Sequence, residues 1–268
     1  MKILLRSCGG LGNQIFQLAY ARLLASKYRV RTIAHYHEAN YARVADWEYP
    51  EVDDLRIPNF LEKFILKLRL PKILYRIGIV SNEHIKFGNY LILDGYFQDQ
   101  NSYKSFSKSD LNLQIERIRI ELIGKQDYPI EEENVIFHFR LGDFFRSEEG
   151  QVEFVVNSLP LLPPSTTLIS NRDDFLTSNN AIQDIIKSKL INYIVTDNYK
   201  SIELIRLFSN YKVIYSNGST LALWASILSN SDYHIISNTG HHSLHEKKMI
   251  NFKNMFSNQK INSFKIQN

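Results

Sequence analysis

Residues with charge-binding chemistry follow one apolar run near the middle of the chain. Residues 134–139 form the run, and His138, Arg140 and Asp143 lie at its end. His138 and Arg140 are two residues apart, so both side chains point to the same face of an extended segment. An imidazole and a guanidinium together can bind one anion. The pattern predicts an anion site at the carboxyl end of a strand, and a surface charge cluster is the alternative interpretation.

A glycine-rich turn near the start of the chain predicts a second binding element. Residues 2–6 have the pattern of a buried strand, Gly9, Gly10 and Gly12 follow, and apolar residues recur at helical spacing over 15–24. Glycines let a ligand approach backbone N–H groups at the amino end of a helix, where an anion is stabilised. The spacing matches neither a Rossmann fingerprint nor a P-loop. A tight strand-to-helix connection without a ligand is the competing interpretation.

The composition predicts a globular protein with a sizeable core. The chain has 268 residues, 44% of them hydrophobic, which excludes the disordered and fibrous classes. The net charge of +4 comes from scattered basic residues and does not indicate nucleic-acid binding. Cys8 is the single cysteine, so an internal disulfide is excluded. Because Met1 leads directly into the first strand rather than into a signal peptide, a cytoplasmic protein is expected.

Strand-like and helical segments alternate along the chain, as in parallel sheets with crossover helices. The predicted strands are residues 2–6, 29–34, 90–93, 134–139, 191–196, 212–215 and 233–237. The periodicity is interrupted over 124–133, which predicts an amino-terminal Rossmann-like domain at 1–128 and a carboxy-terminal one at 129–268. The polar tail from Ser257 is expected to fray or to pack across the first domain.

Segments that occur in order along the chain resemble the motifs of one enzyme family. They are residues 9–19 (GGLGNQIFQLA), 94–98 (DGYFQ) and 138–143 (HFRLGD). In combination they resemble the bacterial α-1,2-fucosyltransferases of glycosyltransferase family 11. The resemblance implies a GT-B enzyme, with two Rossmann-like α/β domains facing across a cleft. It also implies an inverting transfer of L-fucose from the substrate GDP-β-L-fucose, with no metal and no cofactor.

If the chain is such a fucosyltransferase, roles in the reaction can be assigned to the residues in and after the motif at 138–143. Arg140 is the candidate that neutralises the departing diphosphate, since its planar fork matches a phosphate and stays charged. His138 is expected to bind the diphosphate or to hold Arg140 in place. For the carboxylate that removes the acceptor proton, the order of preference is Glu148, Asp143 and Glu149.

Donor and acceptor contacts are expected from other loops and strand ends. The expected donor-binding residues are Gly10, Gly12, Asn13, Gln14, Asp197, Ser237, Asn238 and Thr239. Ser237, Asn238 and Thr239 are further expected to begin a helix. Tyr96 and Gln98 are expected on the side of the acceptor. The resemblance implies an acceptor that ends in galactose, is fucosylated at O2 and belongs to a surface polysaccharide or lipid-linked repeat.

Some features leave alternatives open. Residues 238–242 read NTGHH, where the family carries an Asn-Ser-Thr segment and paired tryptophans, so another nucleotide-sugar donor stays possible. A non-catalytic nucleotide-sugar binding protein is the second alternative. No metal site is expected, since the acidic pairs at 53–54 and 173–174 are adjacent and adjacent side chains of a strand point to opposite faces. His241 and His245 lack the His-Glu-x-x-His pattern of a zinc helix.

The stretch 60–80 combines basic and large apolar residues. Its basic residues are Lys63, Lys67, Arg69, Lys72 and Arg76. A basic amphipathic helix of this kind can lie on an anionic membrane, so peripheral contact at the inner face of the cell membrane is one interpretation. Pro71 divides the stretch, and a pair of ordinary surface helices with solvated lysines is the other interpretation.

Overall fold

The computed structural model describes residues 1–37, 47–77, 84–124, 131–140, 147–196, 199–238, 243–256 and 261–266. The chain divides into two compact units, Met1–Gly124 and Lys125–Asn268, and each unit contains one sheet. The predicted domain boundary between residues 128 and 129 lies outside the described residues. No helix among the described residues is both long and apolar enough to cross a bilayer.

The first unit is an open α/β sheet. Its elements are β1 (Lys2–Ser7), α1 (Leu11–Lys27), β2 (Ile33–His37), β3 (Leu55–Arg56), α2 (Phe60–Lys67), α3 (Leu70–Arg76), β4 (His84–Phe87), β5 (Tyr90–Leu93), α4 (Gln100–Tyr103) and α5 (Lys108–Leu122). The strand order is β3-β2-β1-β5-β4, with β4 antiparallel to β5 and the other pairs parallel.

Burial explains why the first unit forms around β1. Five of the six β1 residues are buried, and α1 is buried along most of its length. On one face of the sheet, Leu4, Ala34 and Ile92 pack with Ile65 and Leu66 of α2. A strand buried on both faces reads as a continuous apolar run, which is why β1 is visible in the sequence.

The second unit is a wholly parallel sheet. Its elements are β6 (Glu131–Phe139), α6 (Glu148–Ser158), a 3₁₀ turn (Leu159–Leu161), β7 (Thr167–Ser170), α7 (Asp173–Ser178), α8 (Asn180–Ser188), β8 (Asn192–Tyr193), α9 (Ser201–Phe208), β9 (Tyr211–Ser216), α10 (Thr220–Leu228), β10 (Asp232–Asn238), α11 (Ser243–Phe256) and β11 (Ile261–Ile266). The strand order is β11-β10-β9-β6-β7-β8. Renumbered within the unit, this is the order 3-2-1-4-5-6 of dinucleotide-binding Rossmann folds.

Successive side chains of β6 point to opposite faces of the sheet and pack against different helices. Phe137 and Phe139 are fully buried with Phe154 of α6 on one face of the sheet. His138 points to the opposite face, where its ring lies 5.0 Å from that of Phe208 in α9. Trp224 of α10 is buried beside Phe252, so it is a core residue.

The predicted fold class, α/β with two Rossmann-like domains, is confirmed by these sheets. The strand predicted at 29–34 is wrong in its first half, because α1 runs to Lys27 and the chain then turns through Arg29, whose φ is +54°. The expectation for the tail is also wrong: residues 261–266 form β11, which pairs in parallel with β10 in the second unit.

An ion-pair cluster around the buried Arg22 connects α1 to α5 and to the loop before β3. The Arg22 guanidinium donates to both oxygens of Asp54, at 2.8 and 2.9 Å, and to both oxygens of Glu121, at 2.7 and 3.0 Å. The Tyr49 hydroxyl also donates to Glu121. Burial is the largest single effect and raises the pKa of both carboxyls, but the hydrogen bonds and charge of Arg22, together with Arg117 and further hydrogen bonds, outweigh it and hold each pKa below its usual value.

We expect Arg22→Met to lower the free energy of unfolding by about 3 kcal/mol, because it leaves the two partly buried carboxylates with only the more exposed Arg117 as a cationic partner. Urea denaturation measures the effect. Arg119→Met is the control, since it breaks an ion pair with the exposed Glu116 on α5 and should cost about 0–1 kcal/mol. Equal losses in the two variants would contradict a structural role for the cluster.

Candidate functional site

In each sheet, strands are added first on one side of the unit's first strand and then on the other, so the strand order reverses there. In the first unit, β2 and β3 lie on one side of β1 and β5 on the other; in the second, β7 and β8 lie on one side of β6 and β9 on the other. The crevice at the carboxyl ends of such a strand pair is where open α/β sheets bind ligands. The glycine turn follows β1 and residues 94–98 follow β5, while Arg140 follows β6. The motifs found in the sequence therefore lie at these two positions.

The glycine turn has one position that requires glycine and one that leaves room for a ligand. Gly9 has a φ of +84°, and a Cβ there would lie 2.6 Å from Nδ2 of Asn13. Gly10 is the residue before α1, provides no side-chain cap for the helix, and has open space where its Cβ would be. The space beside the backbone is thus open at Gly10, whereas Gly12 is buried inside the helix.

One hydrogen bond joins the predicted donor and acceptor residues of the first unit. Nε2 of Gln98 donates to Oδ1 of Asn13 at 2.7 Å, across the crevice between the glycine turn and the segment after β5. Tyr96 lies in that segment with 41% of its side-chain area exposed. The structure therefore brings Asn13, Gln98 and Tyr96 to one edge of the sheet.

The prediction that Gln14 lines a binding surface is wrong. Its side chain is completely buried. Its amide donates to the carbonyl of Gly9, and its oxygen accepts from the backbone N–H groups of Glu48 and Tyr49. Gln14 therefore supports the glycine turn from beneath. Gln17 has a similar role, since its side-chain oxygen accepts from the N–H of Cys8.

A buried ion pair lies under the same edge, and the sequence did not reveal it. Nη1 of Arg6 donates to Oδ1 of Asp94 at 2.9 Å, and Arg69 lies 3.5 Å from the other carboxylate oxygen. Arg6 is near the end of β1 and Asp94 follows β5 directly. The pair therefore holds together the strand ends that flank the first crevice.

A cluster of imidazoles around a hydroxyl is a further feature that sequence reasoning missed. Oγ of Ser7 lies 2.7 Å from Nε2 of His35 and 3.0 Å from Nδ1 of His37, with the Trp47 ring against His35. Burial, together with the neighbouring His37, lowers the pKa of His35 to about 3. His35 is therefore neutral at pH 7, and Ser7 can accept from one ring and donate to the other. Two histidines two residues apart, directly after the strand predicted at 29–34, were the available signal.

In the second unit, Asn217 fixes the backbone of Arg140. Oδ1 of Asn217 accepts from the Arg140 N–H at 2.7 Å, and Nδ2 donates to the Arg140 carbonyl at 2.7 Å. Asn217 follows β9, the strand that pairs with β6. Its side-chain amide therefore binds the Arg140 backbone at the point where the backbone pairing of the two strands ends. The Arg140 side chain is half-buried. Asn217 is a residue that sequence reasoning missed, since its partner is 77 positions away.

The turn after β9 is itself held by a buried serine. Oγ of Ser216 accepts from the N–H groups of Gly218 and Ser219, both at 3.0 Å, and contacts the hydroxyl of Tyr233. Gly218 has a φ of +92°, which favours glycine. Ser219 then caps α10 through the N–H of Ala222. The segment that carries Asn217 is therefore rigid on both sides.

His138 is placed beneath this edge rather than on its surface. Only 6% of its area is exposed, and burial, with a smaller effect from Arg140, lowers the pKa of the ring to about 3. A neutral ring at that depth suits the expectation that His138 supports Arg140. Contact between His138 and a diphosphate stays a prediction.

The remaining predicted site residues are only partly described. Glu148 and Glu149 are exposed in the first turn of α6, where Ser147 caps the helix and negative charge is stabilised. Ser237 and Asn238 do not begin a helix; they end β10 and pair with β11. The predicted site residues Asp143, Asp197 and Thr239 lie outside the described residues.

One member of each acidic pair of the sequence is engaged in ion pairs. Asp54 binds Arg22 and Arg117, and Asp174 in α7 binds Arg172 at 2.9 Å. Within the described part of the chain, no group of His, Cys, Asp and Glu side chains has a metal-binding arrangement.

Comparison with known proteins gives structural similarity only. No protein-family model and no curated protein matches the chain. Among solved structures, NodZ α-1,6-fucosyltransferase co-crystallised with GDP is 11% identical, with a TM-score of 0.46 over 84% of this chain and 91% of that one. The ADP-heptose LPS heptosyltransferase II of E. coli is 13% identical, with a TM-score of 0.43 over 99% and 90%. POFUT1 in complex with GDP-fucose is 10% identical, with a TM-score of 0.40 over 100% and 98%. Membership of glycosyltransferase family 11 stays a prediction.

We expect the fold to lose stability as the pH falls from 7 towards 4, in part through His138. The ring titrates near pH 6.5 when unfolded and near 3 when folded, so the unfolded chain binds more protons in that interval. His138→Asn should reduce the difference between the urea midpoints at pH 7 and pH 4.5. If the two urea midpoints differ as much in His138→Asn as in the parent protein, His138 is not the neutral buried group described above.

Proposed function

We propose that the protein is a GT-B glycosyltransferase that transfers L-fucose from GDP-β-L-fucose to O2 of a terminal galactoside, with inversion. The observation that carries this proposal is the position of its motifs. The segments that resemble family 11 are far apart in the sequence, yet each lies at the carboxyl edge of a sheet where the strand order reverses. A surface charge cluster, by contrast, has no reason to lie at that edge.

Arg140 has the central role in the proposed chemistry. Departure of GDP leaves negative charge on the diphosphate, and a guanidinium can bind two of its oxygens while remaining charged. The double hydrogen bond from Asn217 fixes the Arg140 backbone before substrate binds. Preorganised charge of this kind stabilises a transition state more than mobile charge does. In this mechanism Arg140 takes the part that a divalent cation has in metal-dependent transferases, and no cofactor is needed.

The first unit supplies the proposed acceptor side. Asn13 and Gln98 are held together by their hydrogen bond, and the exposed ring of Tyr96 offers an apolar face to a sugar. Gly10 leaves open space beside the backbone for the donor. Glu148 is the first choice for the carboxylate that takes the acceptor proton, since its side chain is exposed to solvent. The proposed acceptor is part of a surface glycan or of a lipid-linked repeat.

The direct test is incubation of the protein with GDP-fucose and galactose-terminated disaccharides in the presence of EDTA. We expect GDP release together with a mass gain of one deoxyhexose, and digestion with linkage-specific fucosidases then tests O2. Turnover with a different nucleotide sugar alone would assign another donor. Binding of GDP without turnover, against all donors and acceptors tried, would overturn the catalytic proposal and favour a nucleotide-sugar binding protein.

In that assay, Arg140→Ala should lower kcat by at least 100-fold, which corresponds to about 2.7 kcal/mol of lost transition-state stabilisation. Circular dichroism and the urea midpoint should stay close to those of the parent protein, because the Asn217 contacts involve only the Arg140 backbone. Lys187→Ala is the control, since Lys187 is an exposed cation of α8 in the same unit. Equal losses in the two variants would contradict the proposed role of Arg140.

Contact with the membrane is a second part of the proposal, and the outward face of α2 supports it. Successive helical residues are about 100° apart, so the buried residues Glu62, Ile65 and Leu66 share one face. Phe60 and Phe64 lie on the opposite face and are 90% and 55% exposed. Ordinary surface helices have polar residues there.

The apolar surface extends beyond α2 and is bordered by cations. Its other exposed members are Ile57, Leu61, Leu68, Ile73 and Ile77. Lys63 and Lys67 are exposed beside the phenylalanines of α2. Apolar side chains bordered by lysine match the boundary between acyl chains and anionic headgroups. The proposed location is thus the cytoplasmic face of the membrane, where the free thiol of Cys8 remains reduced.

We expect the protein to bind phosphatidylglycerol vesicles and the double variant Phe60→Ser/Phe64→Ser to bind them at least about tenfold more weakly, since it removes two aromatic rings from the bilayer contact. Vesicle co-sedimentation measures the affinity. The matched control is Leu113→Ser/Leu190→Ser, which removes leucines of comparable exposure elsewhere. Unchanged vesicle binding, with a changed oligomeric state in light scattering, would identify the face as a protein interface instead.

A further inference from the structure

A basic cavity of about 410 Å³ opens at the amino edge of the first sheet, away from the glycine turn. The charged residues of its lining are Lys2, Arg29, Arg31, Arg56 and Glu62. Four cations against one carboxylate leave a formal charge of +3. Open α/β sheets bind substrates at their carboxyl edge, so this cavity is separate from the proposed transfer site.

The carboxylate in the lining is already neutralised by one of the arginines. Both oxygens of Glu62 accept from Arg56 at 2.7 Å, and Lys2 lies 3.6 Å from the same carboxylate. The hydrogen bonds from Arg56 lower the pKa of Glu62 to about 2, so it is ionised at any working pH. Glu62 also completes the capping box of α2 with Asn59. This pair builds the floor of the cavity and leaves the remaining positive charge for a ligand.

The position of the other arginines is set by the turn that ends α1. The N–H of Val30 donates to the carbonyl of Ala25 and the N–H of Arg29 to that of Ser26. Arg29 has a φ of +54°, a conformation that residues other than glycine adopt uncommonly. Both Arg29 and Arg31 are exposed, so their guanidinium groups can reach a ligand at the mouth of the cavity.

The cavity adjoins the apolar surface around α2. Arg56 lines the cavity and is followed by Ile57, which is 89% exposed. Asn59 also lines it and is followed by Phe60. Bound phosphate and buried acyl chains would therefore lie side by side, in the arrangement that a phospholipid presents at the surface of a bilayer.

We propose that this cavity binds the phosphate headgroup of an anionic phospholipid while the outward face of α2 contacts the membrane. The proposal rests on the membrane contact proposed above and adds a defined headgroup site to it. Arginine forks match phosphate oxygens bidentately, which distinguishes such a site from general attraction to negative charge.

The test compares two double variants that remove the same amount of charge. Arg29→Gln/Arg31→Gln should weaken binding to phosphatidylglycerol vesicles at least tenfold and abolish the preference for them over phosphatidylcholine. Lys187→Gln/Lys212→Gln, at exposed positions of the second unit, should leave both unchanged. Transfer to a soluble acceptor should be the same in all these proteins, since the cavity is remote from the carboxyl edge.

Different results identify which proposal fails. Equal vesicle binding by the two charge variants would overturn the headgroup site. If the arginine variant loses binding but Phe60→Ser/Phe64→Ser does not, the apolar contact is overturned while the headgroup site stands. Calorimetric titration with glycerol phosphate is the last comparison: binding as tight as to vesicles, lost in the arginine variant, would assign the cavity to a free phosphate compound rather than to a lipid.

Discussion

The parallel pairing of β6 with β9 is the constraint on which the proposed donor site depends. The continuous register runs from Val135 with Val213 to His138 with Ser216, and beyond it the side chain of Asn217 forms the hydrogen bonds to the Arg140 backbone. A shift of one residue in this register would turn His138 and Arg140 towards the face where Phe137 and Phe139 are now buried. The core on both faces of β6 therefore fixes the position of the charge.

Buried polar groups also determine what lies at the two edges of the first sheet, a glycine turn at the carboxyl edge and a cationic cavity at the amino edge. At the carboxyl edge, the Arg6–Asp94 pair and the buried amides of Gln14 and Gln17 hold the backbone of the glycine turn. At the amino edge, Glu62 forms an ion pair with Arg56 and completes the capping box of α2, whose outward face is apolar. Buried polar groups must be partnered. Meeting that requirement here produces a rigid turn on one side and a cationic cavity on the other.

The long apolar runs made much of the fold predictable. Strand β5 matches its predicted range, and β1, β9 and β10 differ from theirs by one or two residues. Strand β7 was missed because residues 167–170 are few and polar at both ends, although all are buried. Strand β11 lacks a regular alternation, because the polar residues Asn262 and Ser263 are adjacent, and it forms by pairing with β10 at the edge of the sheet. Its identity depends on a partner strand, which a local pattern does not contain.

The sequence by itself determined the chemical inventory and its order: the glycine turn, the segment at 94–98, and His138 and Arg140 at the end of an apolar run. Local spacing and hydrophobicity are enough for that. Only the tertiary structure decided which polar residues are exposed and which are buried. Asn217, the Ser7 cluster and the burial of Gln14 depend on contacts between residues distant along the chain. Strand order brings such residues together, and no local periodicity encodes strand order.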